Sequence, residues 1–592
     1  MTSSRASRAV SALLVSAALL AVAAVFAFGI PCGFVGIDDS LYTSGCPFVR
    51  DGLSRENVLR AFCDIEYGGI WMPVTFVSYM VDATLFGDFP AAYHAVNVLL
   101  HVLNAFLVYL FLKDLSASRD DGVSSFASSA ACLAGAALWA LHPLRAEGVA
   151  YVAARKELLW TTFGLLSLMQ YGRFLEGGRI VRYVAALACC ALALCSKPTA
   201  VAVPFLALAL HWYRRDRAKV RLTWLLPMFA LAAAGAAVTL QSQTDPTGTG
   251  APGVLVESFS WRILNAAVSL GLYLWYTVVP TGIHFDYRAV FGGWPVNGWL
   301  GLGTLAAVFA LAAWAAYRSE RRTREAMAFA GLVFLLSVGP VLGVFAYVNS
   351  DQAMADRYAY FPEIALAFLF AHAVRRTSAG SAGRVAVLVV AVALAEAVLA
   401  VPVVRSFDSA YTAYARVLER DPDHWRALRV VGNEYCARQG RMDEGIAMLK
   451  RSLELRGSQM TADSLAYLLA FRGAKGDFEE VRRLGGPVAA NPRLDAGGMM
   501  LDALGVVAMR EGDWMAAARY FGEGLTVPKR NHSPDYSLLY LGECLANAGR
   551  DADATAVLGK AAKSADKGVR DRAAAAIRAI AAPPPRPLFR WR

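Results

Sequence analysis

The stretch HPLRAEGVAYVAARKELL, residues 142–159, decides how the rest of the chain is read. It follows one apolar run and opens another, and it packs Arg145, Glu147, Arg155, Lys156 and Glu157 into that border. Charges this dense beside a membrane segment must face water or meet a partner, because an isolated charge in hydrocarbon is costly. Arg and Lys are also the residues that hold phosphate, Arg as a bidentate fork and Lys as a point charge. Snorkelling with local ion pairs is the plainer alternative.

Working outward, the 592 residues are 57% hydrophobic, with a mean hydropathy of +0.41. Long apolar runs read as membrane spans and stop near Arg405. Spans are expected near 9–30, 92–112, 127–142, 157–172, 182–196, 198–213, 222–241, 261–280, 297–317, 327–348, 358–374 and 384–404. The segment at 261–280 carries Arg262 and Asn265 at its start and reads as re-entrant or shallow, which leaves eleven to twelve spans. The fold class expected is all-α: a polytopic membrane bundle over 1–404, a soluble helical array over 405–582, and a disordered tail at 583–592.

The net charge of +11 sits largely in clusters between spans, such as Arg214, Arg215, Arg217, Lys219 and Arg221, or Arg318, Arg321, Arg322 and Arg324. That is positive-inside bias. It puts the N-terminus in the cytoplasm, and the loop 31–91 and the C-terminal array outside. Arg5 and Arg8 before the first apolar run also suit a signal peptide, but an uncleaved anchor is expected because no clear cleavage site follows. No basic patch with interleaved aromatics lies in the soluble part, so nucleic acid is not an expected partner. The Ala- and Arg-rich composition points to a bacterial plasma (inner) membrane.

The first loop carries three cysteines, Cys32, Cys46 and Cys63, and one disulfide is expected among them if the loop is extracytoplasmic. Within it, 54–66 reads as an amphipathic interfacial helix, and 71–87, broken by Pro73 and Asp82, as a second one. The same loop holds Asp38-Asp39. A hydroxyl nucleophile needs a carboxylate to take its proton. An Asx turn at a helix end is the structural alternative.

Ser196-Lys197-Pro198 and Asp356-Arg357-Tyr358 place more charge at span borders on the same side as Asp38. His142 borders the central stretch, and His284, Asp286 and Tyr287 lie in a loop that can line the same site. His94, Asn97 and His101 share one helical face, and hydrogen bonds between helices are favoured there over a metal. No Cys/His spacing suggests zinc.

From about residue 420 the chain repeats. GRMDEGIAMLKRSL begins at Gly440, GDFEEVRRL at Gly476, GDWMAAARYFGEGL at Gly512 and GRDADATAVLGKAA at Gly549, a period of 36–37 residues. A turn glycine followed by a helix of small residues at this period reads as stacked helix pairs of tetratricopeptide type. Such arrays offer a groove for peptides or partner proteins.

These motifs in this order resemble the transmembrane and tetratricopeptide-repeat-containing (TMTC) O-mannosyltransferases and their bacterial relatives. The matching pieces are DDS at 38–40, WMPVTFVSYMVDATLFG at 71–87, HAVNVLLHVLNA at 94–105, LHPLRAEGVAYVAARKELL at 141–159, CSKPTAVAVP at 195–204 and MADRYAYFP at 354–362. Tyr151 stands where Trp is common in the family, and only about four repeats are present. The resemblance implies a GT-C glycosyltransferase fold and a polyprenyl-phosphate-linked sugar as donor, in this family mannose. It implies an acceptor protein or peptide held by the repeats, and leaves a divalent metal open. Carried over by motif, Asp38 is the base and Asp39 orients it, or the reverse. Arg155, Lys156, Lys197 and Arg357 neutralise the donor phosphate. His142, Arg145, Glu147, Asp286, Tyr287 and Tyr358 position sugar or donor. The competing readings are the same fold acting on a glycan or lipid acceptor, and a membrane-anchored scaffold without enzymatic activity.

Overall fold

A computed structural model describes residues 2–582 apart from 37, 66, 118–124, 243–257, 289–295, 345–351, 377–380, 493–494, 496, 528–533 and 565. The expected disordered tail and most of the neutral loop before 259 lie outside the described residues. The chain divides into two units, Met1–Arg416 and Val417–Arg592.

In the first unit the apolar runs form helices, because only internally bonded backbone is tolerated in lipid. Among the described residues, six are long and apolar enough to cross a membrane: Ala9–Gly29, Pro90–Ser116, Leu222–Ser242, Asn297–Arg318, Arg321–Val341 and Ala382–Asp408. This is a multi-pass membrane protein. A further pair, Phe126–Leu141 and Pro143–Ala150, bends by 58° at His142. The other expected spans are also helical but shorter or more polar: Arg155–Gly177, Ile180–Ser196, Pro198–Tyr213, Phe259–Val278 and Ile364–Arg375.

In the first loop, Ser54 caps a helix over Arg55–Cys63, its side chain accepting from Asn57 N at 3.1 Å. The helix leaves Leu59 and Phe62 exposed, as the amphipathic pattern requires. The apolar stretch at 71–87 becomes the helix Pro73–Phe86, 14 residues long. At about 1.5 Å per residue it is shorter than a hydrocarbon core of about 30 Å. The expected disulfide is not formed: Cys32, Cys46 and Cys63 are all free thiols. They sit on three different elements, with Cys32 after the first helix, Cys46 capping the short helix Pro47–Arg50 and Cys63 exposed at a helix end.

One departure from an all-helical unit is a two-residue ladder in which Tyr287 pairs with Met354, antiparallel. It brings the loop after Phe259–Val278 against the segment that leads into Asp356-Arg357-Tyr358.

The second unit stacks helix pairs, Trp425–Gln439 with Met442–Leu455, Gln459–Arg472 with Asp477–Ala490, Met499–Glu511 with Trp514–Leu525, and Asp535–Asn547 with Asp551–Ala561, closed by Lys567–Ala581. Gly440, Gly476, Gly512 and Gly549 all take positive φ, from 64° to 88°, at the turn inside each pair. That conformation suits Gly and is strained for other residues. The repeat period read from sequence is therefore the structural period. Successive pairs are tied by charged contacts 29 residues apart: Arg472 to Asp443 at 2.7 Å, Arg572 to Glu543 at 2.6 Å, and Arg482 to Glu511.

Candidate active site

The stretch 142–159 does not run as one helix. Pro143 starts a new turn, and the His142 ring caps it, Nδ1 accepting from Leu144 N at 3.2 Å. A short helix, Ala146–Ala150, ends at Tyr151 in extended backbone, and a tight turn over Val152–Ala154 leads into Arg155–Gly177. Each break frees backbone N–H groups that need a partner.

Asp39 supplies one. Its carboxylate is fully buried and accepts from Ala153 N at 2.7 Å and from Val35 N at 2.8 Å. It thereby pins the first loop to the broken helix, 114 residues away. Burial pushes its pKa up to about 7, with the two amides and Lys156 opposing and Asp38 adding to the rise.

Asp38 is held differently. Its backbone N–H donates to the Tyr151 hydroxyl at 3.0 Å, while its side chain is half-buried. No hydrogen bond or ion pair among the described residues engages its carboxylate. Lys156 lies within electrostatic range of Asp38, Arg357, Tyr358 and Tyr42. The Lys156 ammonium sits over the Tyr42 ring at 4.6 Å and reaches its hydroxyl at 3.4 Å.

Glu147 and Arg357 form the next layer. The Glu147 carboxylate accepts the Arg357 backbone N–H at 2.8 Å and pairs with its guanidinium. Arg357 stacks over the Tyr358 ring at 4.7 Å, and Lys197 sits over that ring, also at 4.7 Å. Lys197 pairs with Glu157, which also accepts from Trp160 Nε1 at 2.9 Å. Tyr358 is thus flanked by two cations, each matched to a carboxylate.

Arg155 and Arg145 are not part of this cluster of side chains. Arg155 is fully buried, pairs with Asp82 at 2.5 Å, and donates to Asn97 Oδ1 at 2.7 Å and Tyr93 O at 3.0 Å. Arg145 is equally buried. It pairs with Glu363 and donates to the carbonyls of Ala359 and Tyr360 at 3.0 and 2.9 Å. His142 Nε2 bonds to Thr277 O at 3.2 Å. Asp286 is buried, and Tyr287 stacks on His284 with ring centroids 4.0 Å apart and hydrogen-bonds Asp356. Asn97 and His101 bond between helices as expected, to Val149 O and Ala140 O, and His101 also reaches the Tyr360 hydroxyl, whereas His94 bonds Gly33 O in the first loop. Among the described residues no group of three or more His, Cys, Asp or Glu side chains could hold a metal ion.

Sequence reasoning missed Tyr42 and Glu363 and read Asp82 only as a helix breaker. A buried Arg implies a carboxylate partner. That signal announces a partner for Arg145 and Arg155 without saying which acid it is.

No family model matches the chain. It is similar to protein O-mannosyl-transferase Tmtc1 of Drosophila melanogaster, 34% identical over 137 residues, 22% of this chain and 14% of that protein. It is 25% identical over 220 residues to a protein O-mannosyl-transferase of Caenorhabditis elegans, 37% of this chain and 30% of that one. With human TMTC1 it shares 29% over 108 residues, 18% of this chain and 11% of that protein. The matches thus span less than a third of these relatives' length. Among solved structures, ArnT from Cupriavidus metallidurans bound to undecaprenyl phosphate gives a TM-score of 0.35 at 15% identity, over 94% of this chain and 80% of that one. Yeast Tom70 gives 0.23 at 11%, over 74% and 87%. Over these stretches the chain is similar in sequence to the TMTC protein O-mannosyl-transferases.

Proposed function

We propose that this chain is a membrane glycosyltransferase of GT-C type that moves a sugar from a polyprenyl-phosphate donor to a protein Ser/Thr hydroxyl with inversion. Mannose is the sugar that the names of its relatives suggest. The observation that carries the reading is Asp38: a half-buried carboxylate with no bonded partner among the described residues, within electrostatic range of Lys156. Asp38 takes the proton of the acceptor hydroxyl, and the oxygen attacks the anomeric carbon. The bond from that carbon to the phosphate oxygen breaks, and polyprenyl phosphate leaves.

Charge grows on the leaving phosphate, so fixed cations there stabilise the transition state more than the ground state. Lys156 is the strongest candidate, since no carboxylate pairs with it among the described residues. Arg357 and Lys197 contribute through the hydrogen-bonding capacity left after Glu147 and Glu157. Tyr358, held between them, packs against sugar or phosphate. Arg145 and Arg155, expected at the donor, act in this reading from behind the site. His142, Asp286 and Tyr287 likewise support it.

The membrane domain over 1–404 faces this site outward in a bacterial plasma membrane, with the N-terminus in the cytoplasm. The positive-inside clusters support that orientation. The repeats over 405–582 hold the acceptor. The test is transfer from a labelled polyprenyl-phosphate mannose to a Ser/Thr peptide by the purified chain in lipid nanodiscs. Labelled peptide supports the reading. Label on a glycan or lipid instead moves the acceptor and keeps the chemistry. No transfer and no binding of the donor leaves a repeat scaffold as the better account.

A further inference from the structure

Asp356 is the member of the Asp356-Arg357-Tyr358 motif to which the proposed chemistry gives no role. It is 1% exposed, and its Oδ1 has no hydrogen-bond partner. Its carboxyl hydrogen-bonds the Tyr287 side chain. The charged groups around it are Glu147 and Glu363 from two other elements and Arg145. Both cations within reach are already matched, Arg145 to Glu363 and Arg357 to Glu147. Tyr276 and His284 also pack on the Tyr287 ring.

A carboxylate in that position has two like charges nearby and no cation of its own. Such a group is strongly disfavoured as an anion. Burial pushes its pKa well above the ordinary carboxylate range, and Glu147 adds to the rise. A neutral acid, by contrast, fits a site with one tyrosine partner and an acidic neighbour.

Each residue from Met354 to Arg357 is anchored. Met354 pairs with Tyr287 in the ladder, and the Tyr273 hydroxyl bonds both Ala355 N, at 3.3 Å, and Ala355 O, at 3.1 Å. Asp356 then bonds the Tyr287 side chain, and Arg357 N bonds Glu147. Tyr287 therefore grips the segment twice, by its backbone and through Asp356. The side chains presented next are Arg357 and Tyr358.

We propose that Asp356 is a positioning residue that works as a neutral carboxylic acid, clamped by Tyr287, to hold the Arg357–Tyr358 turn toward a phosphate ligand. The inference rests on the donor reading above for the identity of that ligand. A protonated carboxyl is matched in shape and hydrogen bonding by an amide, so D356N should rescue what D356A loses.

Two measurements on the full chain in lipid nanodiscs test it. The first is the infrared difference spectrum between wild type and D356N. A protonated-carboxyl C=O stretch present in wild type and missing in D356N is expected, and its absence overturns the proposal. The second is binding of undecaprenyl phosphate as the probe. D356A should bind on the order of tenfold to 100-fold more weakly, the scale of a lost hydrogen bond to a charged group, while D356N binds within about threefold of wild type from pH 6 to 8. D356N as weak as D356A overturns the proposal, even if D356A itself does not fold. If wild type binds no polyprenyl phosphate, the donor reading fails, and the infrared result still decides the state of Asp356.

Discussion

Asp38 and Asp39 share a peptide bond and little else: both oxygens of Asp39 accept backbone amides, at 2.7 and 2.8 Å, while no partner among the described residues holds the Asp38 carboxylate. An acid committed to two amides 114 and 4 residues away is a structural clamp. An acid left without a partner beside Lys156 is placed to take a proton. In the proposed reaction the two carboxylates therefore divide between holding the site and working in it.

The clamp predicts a pH signature. Native Asp39 keeps its proton up to about pH 7, whereas the ordinary value is 3.8. Between those values the native state binds a proton that the unfolded chain has lost, so stability falls as pH rises through the window. Below the lower value Asp39 costs nothing by this route, and above the higher one the cost is complete. At about 1.4 kcal/mol per unit, the whole effect is on the order of a few kcal/mol. Thermal unfolding of wild type should show this decline, and D39N should flatten it. Equal slopes in the two proteins would count against the buried clamp.

Arg357 predicts a donor effect. Lysine in its place keeps the charge but loses the fork that spans Glu147 and Tyr358. R357K should raise the donor KM roughly tenfold, the worth of one charge-assisted hydrogen bond, with a smaller change in kcat. E147Q should move the donor KM the same way by releasing the guanidinium. Steady-state kinetics with varied donor separates the two parameters.

Arg155 predicts a stability effect. D82A strands a buried guanidinium and should cost about 3–5 kcal/mol. The double variant D82L/R155M should recover a large part of that loss. Thermal unfolding in nanodiscs reads both. A D82A protein as stable as wild type would show that Arg155 does not depend on the pair.

Within the repeats, Gly505 lies against Phe521. A Cβ at Gly505 would meet the ring at 2.9 Å, tighter than van der Waals contact allows. G505A should destabilise the repeat unit by about 1–3 kcal/mol, as overpacking does. Adding F521L should relieve part of it. Hydrogen exchange across 499–525 localises the change.

Much of this was legible before any coordinates. The repeat glycines gave the helix-pair period because positive φ at a turn leaves a residue-type signature. Asp38-Asp39, Glu147, Lys156, Lys197 and Arg357 were marked by charge at span borders, and the chain brings them together. The split between Asp38 and Asp39 was not legible, because it depends on backbone amides of Val35 and Ala153 that no residue type reveals. The pairing of Arg145 with Glu363 spans 218 residues. Spacing carries no trace of a contact that distant. The disulfide expectation failed for a related reason, since a shared loop says nothing about which faces its cysteines occupy.

The most direct test of the account is transfer of labelled sugar from polyprenyl phosphate to protein, in membranes carrying wild type or D38N at matched expression. The account predicts transfer by wild type, none above background by D38N, and unaltered thermal unfolding and donor binding in the variant. D38N that transfers at the wild-type rate would contradict it.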